Sequence, residues 1–295
     1  MAYTVAYATD LHGNRKLYDL LLEFASARAC QAVIIGGDIA PKGIYNWKPG
    51  EPIPGLERQR TFLRDYLIPA LTAFRQRTAI ELYIMMGNDD RRANLELLEA
   101  AEAAGTIKLL HERAYQLGPY KIVGYPFIPP SPFLLKDWEK YEDRGRLAPL
   151  WQDPILDIAA TGVRTVPFTE RTTIAEDLQG LKRLSDPKET VYLFHAPPYG
   201  TELDLIEVGG SRYQGLELDP HVGSTAIRRF IKSEQPPLTL HGHVHLSYKL
   251  SGRRQIQLGR TICLNPGSQF ERDILNLALI DLEDLREIEF LELAP

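Results

Sequence analysis

Five short motifs scattered along the sequence carry side chains suited to holding metal: Asp10-Leu11-His12, Gly37-Asp38, Gly87-Asn88-Asp89-Asp90, His195 and His241-Gly242-His243-Val244-His245. Divalent ions of hard or borderline character favour carboxylate and imidazole ligands, and two ions lying close together need one carboxylate that both can share. The motifs supply that inventory. Asp10 and His12 sit two apart on a segment leaving an apolar run, so both side chains can turn toward one point. Asp38 follows a Gly-Gly pair that lets the backbone bend sharply, which makes its carboxylate a natural bridge. His243 and His245 repeat the two-residue spacing, Asn88 offers a neutral amide oxygen, and His195 offers an imidazole directly after an apolar run. The set reads as a two-metal site.

Two dications set against the carboxylates of Asp10 and Asp38 leave a charge of about +2, which suits an anionic phosphoryl oxygen. The same ions would bring the pKa of a bridging water toward neutrality and so generate a nucleophile. Each piece alone has a plainer reading, since Asp10 or Asp38 could cap a following helix and His195 could be a satisfied core residue. Their joint order at the ends of apolar runs argues for the metals. His111 and His221 stand in no comparable motif and are read as structural, whereas His241 is placed in support of the ligands.

The elements that must position these motifs are legible from periodicity. Tyr3–Thr9, Ala32–Gly36, Ile80–Met86 and Val191–Phe194 are apolar or β-branched runs, each ending at a polar motif, and are read as buried strands. Between them, Asn14–Arg28 and Leu56–Arg77 show helical spacing, the second interrupted by Pro69, which should kink it. Arg91–Ala104 is a third helix, stopped by Gly105. This alternation predicts an α/β layered fold with chemistry at the carboxyl ends of strands. Residues 125–186 are rich in proline and are read as an insertion near the active site, with periodic structure only around Leu134–Tyr141 and Ile174–Leu184. A packed loop region without a catalytic role is the alternative. Ser224 is placed as the N-cap of a helix at Thr225–Ser233, Thr261–Leu264 is a further strand, and Leu275–Asp281 with Leu285–Leu293 is expected to form a hairpin closing a second sheet.

Composition narrows the field. With 295 residues, 44% of them hydrophobic, the chain can bury one large core, and a single domain spanning 1–295 is expected. A formal charge of −5 argues against an extended nucleic-acid surface, because phosphate-backbone binding relies on clustered Lys and Arg. The first residues lack a basic n-region, and no apolar run reaches membrane-spanning length, so a cytoplasmic location without membrane contact is expected. Cys30 and Cys263 lie in apolar surroundings and are read as buried reduced thiols.

At these motifs the chain resembles the calcineurin-like metallophosphoesterases, whose pattern runs D-x-H, G-D, G-N-H-D/E, H and G-H-x-H. The match extends from Asp10 to His245, and the Asn265-Pro266-Gly267-Ser268 turn resembles that of a small phosphodiesterase branch of the family. The resemblance implies a four-layer αββα sandwich, an α/β (α+β) arrangement of two mixed sheets flanked by helices. It implies that Asp10, His12 and His245 hold one divalent ion, that Asn88, His195 and His243 hold a second, and that Asp38 bridges them. Manganese is the expected ion, with iron or zinc as alternatives that the N/O donor set also fits.

One position departs from the pattern. Asp89 stands where the family has a histidine thought to protonate the leaving oxygen or steady the phosphate. A carboxylate with an ordinary pKa of about 3.9, beside dications, is ionised and has no proton to give at neutral pH. Its charge should penalise a dianionic monoester more than a monoanionic diester, so a phosphodiesterase is expected, with Asn88 and Asp89 at the reacting centre. Asp89 could instead cap the following helix or pair with Arg91 or Arg92. Asn14, Arg91, Tyr199 and Arg212, all near the ligands or in adjacent loops, are candidates for phosphate binding. Tyr125, Phe127, Trp138 and Trp151 could stack a nucleobase of a small phosphate ester or nucleotide, or fill a core of their own. Two rival functions remain: a protein-interaction scaffold with little turnover, which the intact ligand set disfavours, and a double-strand-break nuclease, which lacks the basic face.

Overall fold

The computed structural model describes residues 2–42, 55–131, 137–144, 155–159, 162–166, 172–208, 212–213, 216–217 and 219–295. Apolar runs drive the chain into two six-stranded sheets, and the strands number β1 Thr4–Ala8, β2 Ala32–Gly36, β3 Glu81–Met85, β4 Lys108–Leu109, β5 Ala114–Leu117, β6 Tyr120–Tyr125, β7 Ile155–Ala159, β8 Gly162–Val166, β9 Thr190–Phe194, β10 Arg212–Tyr213, β11 Leu216–Glu217, β12 Leu238–His241, β13 Gln255–Leu258, β14 Thr261–Leu264, β15 Leu275–Asp281 and β16 Ile288–Leu293. The first sheet has the order β16-β15-β1-β2-β3-β4 and the second β13-β14-β12-β9-β6-β5, while β7–β8 and β10–β11 are separate two-stranded ribbons. In each large sheet four neighbouring strands run parallel, and antiparallel pairing adds strands at one side of the first sheet and at both edges of the second.

The parallel strands are buried on both faces, as their uninterrupted apolar runs require. Val5, Tyr7, Ile34 and Met85 of the first sheet pack with Ile122, Leu193, Leu240 and Leu264 of the second, so the two sheets meet face to face. The alternate residues, Ala6, Val33 and Ile84 on one side and Tyr192 and Phe194 on the other, face the helices. Those helices are α1 Arg15–Ala27, α2 Leu56–Phe62, α3 Ile68–Arg77, α4 Leu95–Ala103, α5 Ile174–Leu181, α6 Thr225–Glu234 and the short α7 Ser247–Ser251. α1, α3 and α4 contact the first sheet, and Phe230 of α6 meets Tyr192 and Phe194 of the second with ring centroids 5.0 and 5.8 Å away. The result is the four-layer sandwich of two mixed sheets flanked by helices.

Several local expectations are met in detail. Ser224 caps α6, its side chain accepting from the Ile227 N–H, and both cysteines are free and buried. Around Pro69 the helix changes register instead of breaking: Leu63–Leu67 forms a wider π-type turn immediately before it, which accommodates the missing proline N–H.

The C-terminal hairpin departs from expectation. β15 and β16 do pair, but β15 joins β1 in the first sheet, in register Val5 with Ile280. Its residues Leu275–Ile280 are buried on both faces, a demand that only an interior strand meets, and β16 takes the half-exposed edge. The second sheet is completed instead by the β5–β6 and β13–β14 hairpins. Among the described residues, no helix is long and apolar enough to cross a membrane.

Candidate metal centre

Parallel strands of both sheets end at one place, and the motifs leave from those ends. Asp10 and His12 follow β1, Asp38 follows β2, Asn88 follows β3, His195 follows β9, and His243 and His245 follow β12. Asp10, His12, Asp38 and His243 all adopt left-handed backbone, with φ of 56, 44, 48 and 64°. Side-chain-bearing residues avoid that region, and strain of this kind persists where the surrounding structure holds it for a purpose. Here it turns the candidate ligand side chains sharply inward from their strands.

Donor atoms of Asp10, His12, Asp38 and His245 all lie within 4.8 Å of one another. Nε2 of His12 is 3.1 Å from Nε2 of His245 and 3.7 Å from Asp38 Oδ2, while His245 Nε2 is 3.4 Å from Asp10 Oδ1. Beside this group, Asn88 Oδ1 lies 3.0 Å from His195 Nε2 and 2.7 Å from His243 Nδ1, and His195 Nε2 is 3.6 Å from the other Asp38 oxygen. Asp38 therefore faces both groups with different oxygens. Gly87 makes the approach possible: a Cβ there would fall 2.4 Å from Asp38 Oδ1 and 2.6 Å from His195 Nε2.

The surroundings fix these side chains in position. His195 Nδ1 donates to the Gly36 carbonyl at 3.1 Å, which directs Nε2 into the site. Asp10 accepts from the His243 N–H at 3.1 Å and from Thr9 Oγ1 at 2.8 Å. Asn265 bonds the carbonyls of Gly242 and Val244, and Ser268 bonds that of Asp10, so the Asn265–Ser268 turn braces the histidine loop. Asp90 is buried and accepts three backbone N–H groups, from Ile39, Ala40 and Gly87, tying the Asp38 loop to the Asn88 loop.

Charge and burial oppose one another here. Burial alone would lift the Asp38 carboxyl, but His195 and His12 outweigh it and hold the group well below the carboxylate range. Burial depresses His12 and His243 to about 4. At His195 burial also acts downward, yet the Asp38 and Asp10 carboxylates prevail and raise it to about 9. Nδ1 of His12 is buried with no hydrogen-bond partner among the described residues. Packed lone-pair donors, an orphaned imidazole nitrogen and ionised carboxylates form a set that divalent cations satisfy and neutral solvent does not.

A pH dependence follows for the metal-free protein. A cation at His195 must displace the proton from Nε2, so loading releases protons and tightens as pH rises toward about 9. The protonated His195 contribution to stability has the opposite sign. Its folded pKa is raised from 6.5, so that contribution is complete below about 6.5 and disappears through about 9. Metal titration by calorimetry in buffers of differing ionisation heat, with melting of the metal-free protein across that range, checks both; pH-independent loading contradicts the arrangement.

The ligand group opens into a cavity of about 1110 Å³ lined by Asp38, Asn88, Asp89, His243 and His245 on one side and by Tyr199 and His221 on another. Asp89 does not cap the next helical segment, where Arg91 occupies the N-cap position without a side-chain cap bond. Its Oδ2 instead lies 3.8 Å from His12 Nδ1. Asn14 is committed elsewhere, its amide donating to Phe270 O and Asp273 Oδ1. Arg91 is buried, and neither it nor Asn14 is among the described residues lining the cavity. Arg212 lies in β10, paired with Glu217. Tyr125, Phe127 and Trp138 are buried against one another, with successive centroids 5.4 Å apart, so they form a core and not a stacking platform; Trp151 lies outside the described residues.

His111 accepts from the Met86 N–H and His241 bonds Ala196 O and Thr239 Oγ1, both supporting strand ends. His221 bonds the buried Asp204 through Nδ1. It lines the cavity, and no motif in the sequence marks it.

Strand-end carboxylates and imidazoles from two facing sheets, converging around one shared aspartate, define the binuclear-metal hydrolase class. The chain belongs to the calcineurin-like phosphoesterase family, whose model matches residues 3–247. No curated protein matches the sequence. TT1561 of Thermus thermophilus is similar over 99% of both chains at 16% identity and a TM-score of 0.57. A dimetal phosphatase from Danio rerio, LOC 393393, is similar over 99% of this chain and 98% of its own, at 13% identity and a TM-score of 0.50. At these identities the likeness is one of fold.

Proposed function

We propose that the protein is a phosphodiesterase acting on a small phosphodiester or nucleotide, with two divalent cations, manganese by preference, held by Asp10, His12, Asp38, Asn88, His195, His243 and His245. When bound, the ions supply Lewis acidity toward phosphoryl oxygens and make water acidic enough to serve as a nucleophile near neutral pH. The chain's own residues set the rest. Asp38 presents an oxygen to each ligand group, Gly36 and Thr9 fix the orientation of His195 and Asp10, and Asn88 bridges two imidazoles from the opposite sheet.

The observation that carries the diester reading is Asp89. Its carboxylate lines the cavity beside the ligands, where it adds negative charge against the second ionisation of a phosphate monoester. Protein loaded with manganese should turn over bis(p-nitrophenyl) phosphate at least about 10-fold faster than p-nitrophenyl phosphate, a difference of roughly 1.4 kcal/mol in barrier. Faster cleavage of the monoester overturns the preference. Elemental analysis of the same preparation, with iron and zinc as the competing outcomes, tests the ion.

A further inference from the structure

Position 89 leaves the leaving oxygen without the histidine that the family pattern would place there, so another group must meet that oxygen if unactivated esters are substrates. Among the described residues lining the cavity, three are histidines, and His243 and His245 belong to the ligand set. The third is His221. Its Nδ1 lies 2.7 Å from Asp204 Oδ1, with the His221 side chain 28% exposed and the Asp204 side chain fully buried. Asp204 is itself fixed by the N–H groups of Gly200, Thr201 and Gly223, at 2.9, 2.8 and 3.0 Å. A buried, backbone-anchored carboxylate accepting from Nδ1–H sets both the tautomer and the ring orientation, leaving Nε2 as the exchangeable position. Nε2 makes no hydrogen bond to any described residue.

The segment carrying His221 is stitched to the loop that leaves the ligand His195. Tyr199 N donates to Ser224 O, Ser224 N to Pro197 O, Val222 N to Asp204 O and Ile206 N to Pro220 O. The imidazole therefore holds a fixed position on the wall of the cavity that the ligands floor. Among the described residues, the other charged or titratable groups against it are Asp219, whose Oδ1 accepts the His221 N–H, and Tyr199, whose ring is 5.8 Å away and whose hydroxyl donates to Asp219.

We propose that His221 is the general acid of the reaction, with Asp204 as its positioning residue; this rests on the phosphoesterase reading above. A water oxygen forms the new bond to phosphorus and sheds one proton to solvent. The bond from phosphorus to the leaving oxygen breaks, its electron pair goes to that oxygen, and the oxygen takes the proton from Nε2. His221 then recovers a proton from solvent. The products are a phosphate monoester and an alcohol.

The test separates leaving groups that need a proton from those that do not. Bis(p-nitrophenyl) phosphate releases a phenolate stable at neutral pH, whereas glycerophosphocholine releases an alkoxide. In metal-loaded protein, His221→Gln should lower kcat on glycerophosphocholine about 100-fold more than on bis(p-nitrophenyl) phosphate, the scale of general acid catalysis. It should also remove the alkaline limb of the kcat profile for glycerophosphocholine while metal content stays unchanged. Asp204→Asn should show the same selective loss in weaker form. Equal losses on both diesters, or an alkaline limb that survives in His221→Gln, overturn the proposal. If the unsubstituted protein cleaves neither diester, the phosphoesterase reading itself fails.

Discussion

Asp38→Asn should abolish turnover and release bound metal while leaving the fold intact. The carboxylate presents one oxygen 3.7 Å from His12 Nε2 and the other 3.6 Å from His195 Nε2, so it faces each ligand group with a different oxygen. An amide keeps the shape, and its oxygen can still accept the Asp89 N–H that now bonds Oδ1 at 2.8 Å. It cannot share charge between two cations, and its NH₂ would point at one of them. Removing a partner that only supports a ligand costs 10–100-fold in metal affinity or activity, so loss of a shared ligand should exceed about 100-fold. Elemental analysis after gel filtration and a bis(p-nitrophenyl) phosphate assay measure it, with circular dichroism as the fold control. A metal-replete, active Asp38→Asn protein would falsify the shared-ligand assignment.

Asp90→Ala should be the most damaging substitution for stability around the site. Three buried N–H groups lose their acceptor at once, and each unsatisfied group costs about 1–3 kcal/mol, for a total of about 3 kcal/mol or more. Metal retention should fall with it, because Ile39 and Ala40 follow Asp38 and Gly87 precedes Asn88. Asp90→Asn retains one acceptor oxygen and sets an NH₂ against a backbone donor, so it should lose less stability than alanine. Urea denaturation of the three metal-free proteins orders them; a loss below about 1 kcal/mol in Asp90→Ala would show that the two loops hold their places without it.

Much of this was legible in the sequence because the chemistry sits where strands end. The runs at Ala32–Gly36, Thr261–Leu264 and Leu275–Asp281 have the bounds of their strands, and at Ala32–Gly36 both-sided burial writes an uninterrupted apolar signature. β6 left no such mark. Gly124 interrupts it, and its reason is tertiary: a Cβ there would lie 2.2 Å from the Leu110 carbonyl. The partner of the C-terminal hairpin was equally hidden, because alternation reports that a strand has two faces and not which sheet receives it. At the site, short-range spacing marked the carboxylates and imidazoles that the structure brings together. His221 stayed invisible because its partner Asp204 is distant in sequence and carries no recurring spacing with it. Asp90 stands where the family pattern puts the acid partner of its histidine, but the joining of two loops from separate strands by its carboxylate is a tertiary fact that no spacing reports.

The placement of β15 beside β1 bears on how the polypeptide acquires its shape during synthesis. β1 is made well before β15, yet β15 is one of its two hydrogen-bonding neighbours. Until β15 is made, that edge of β1 is an open template of the kind that invites mispairing with other nascent chains. Slower elongation would lengthen that exposure without altering any contact in the native state.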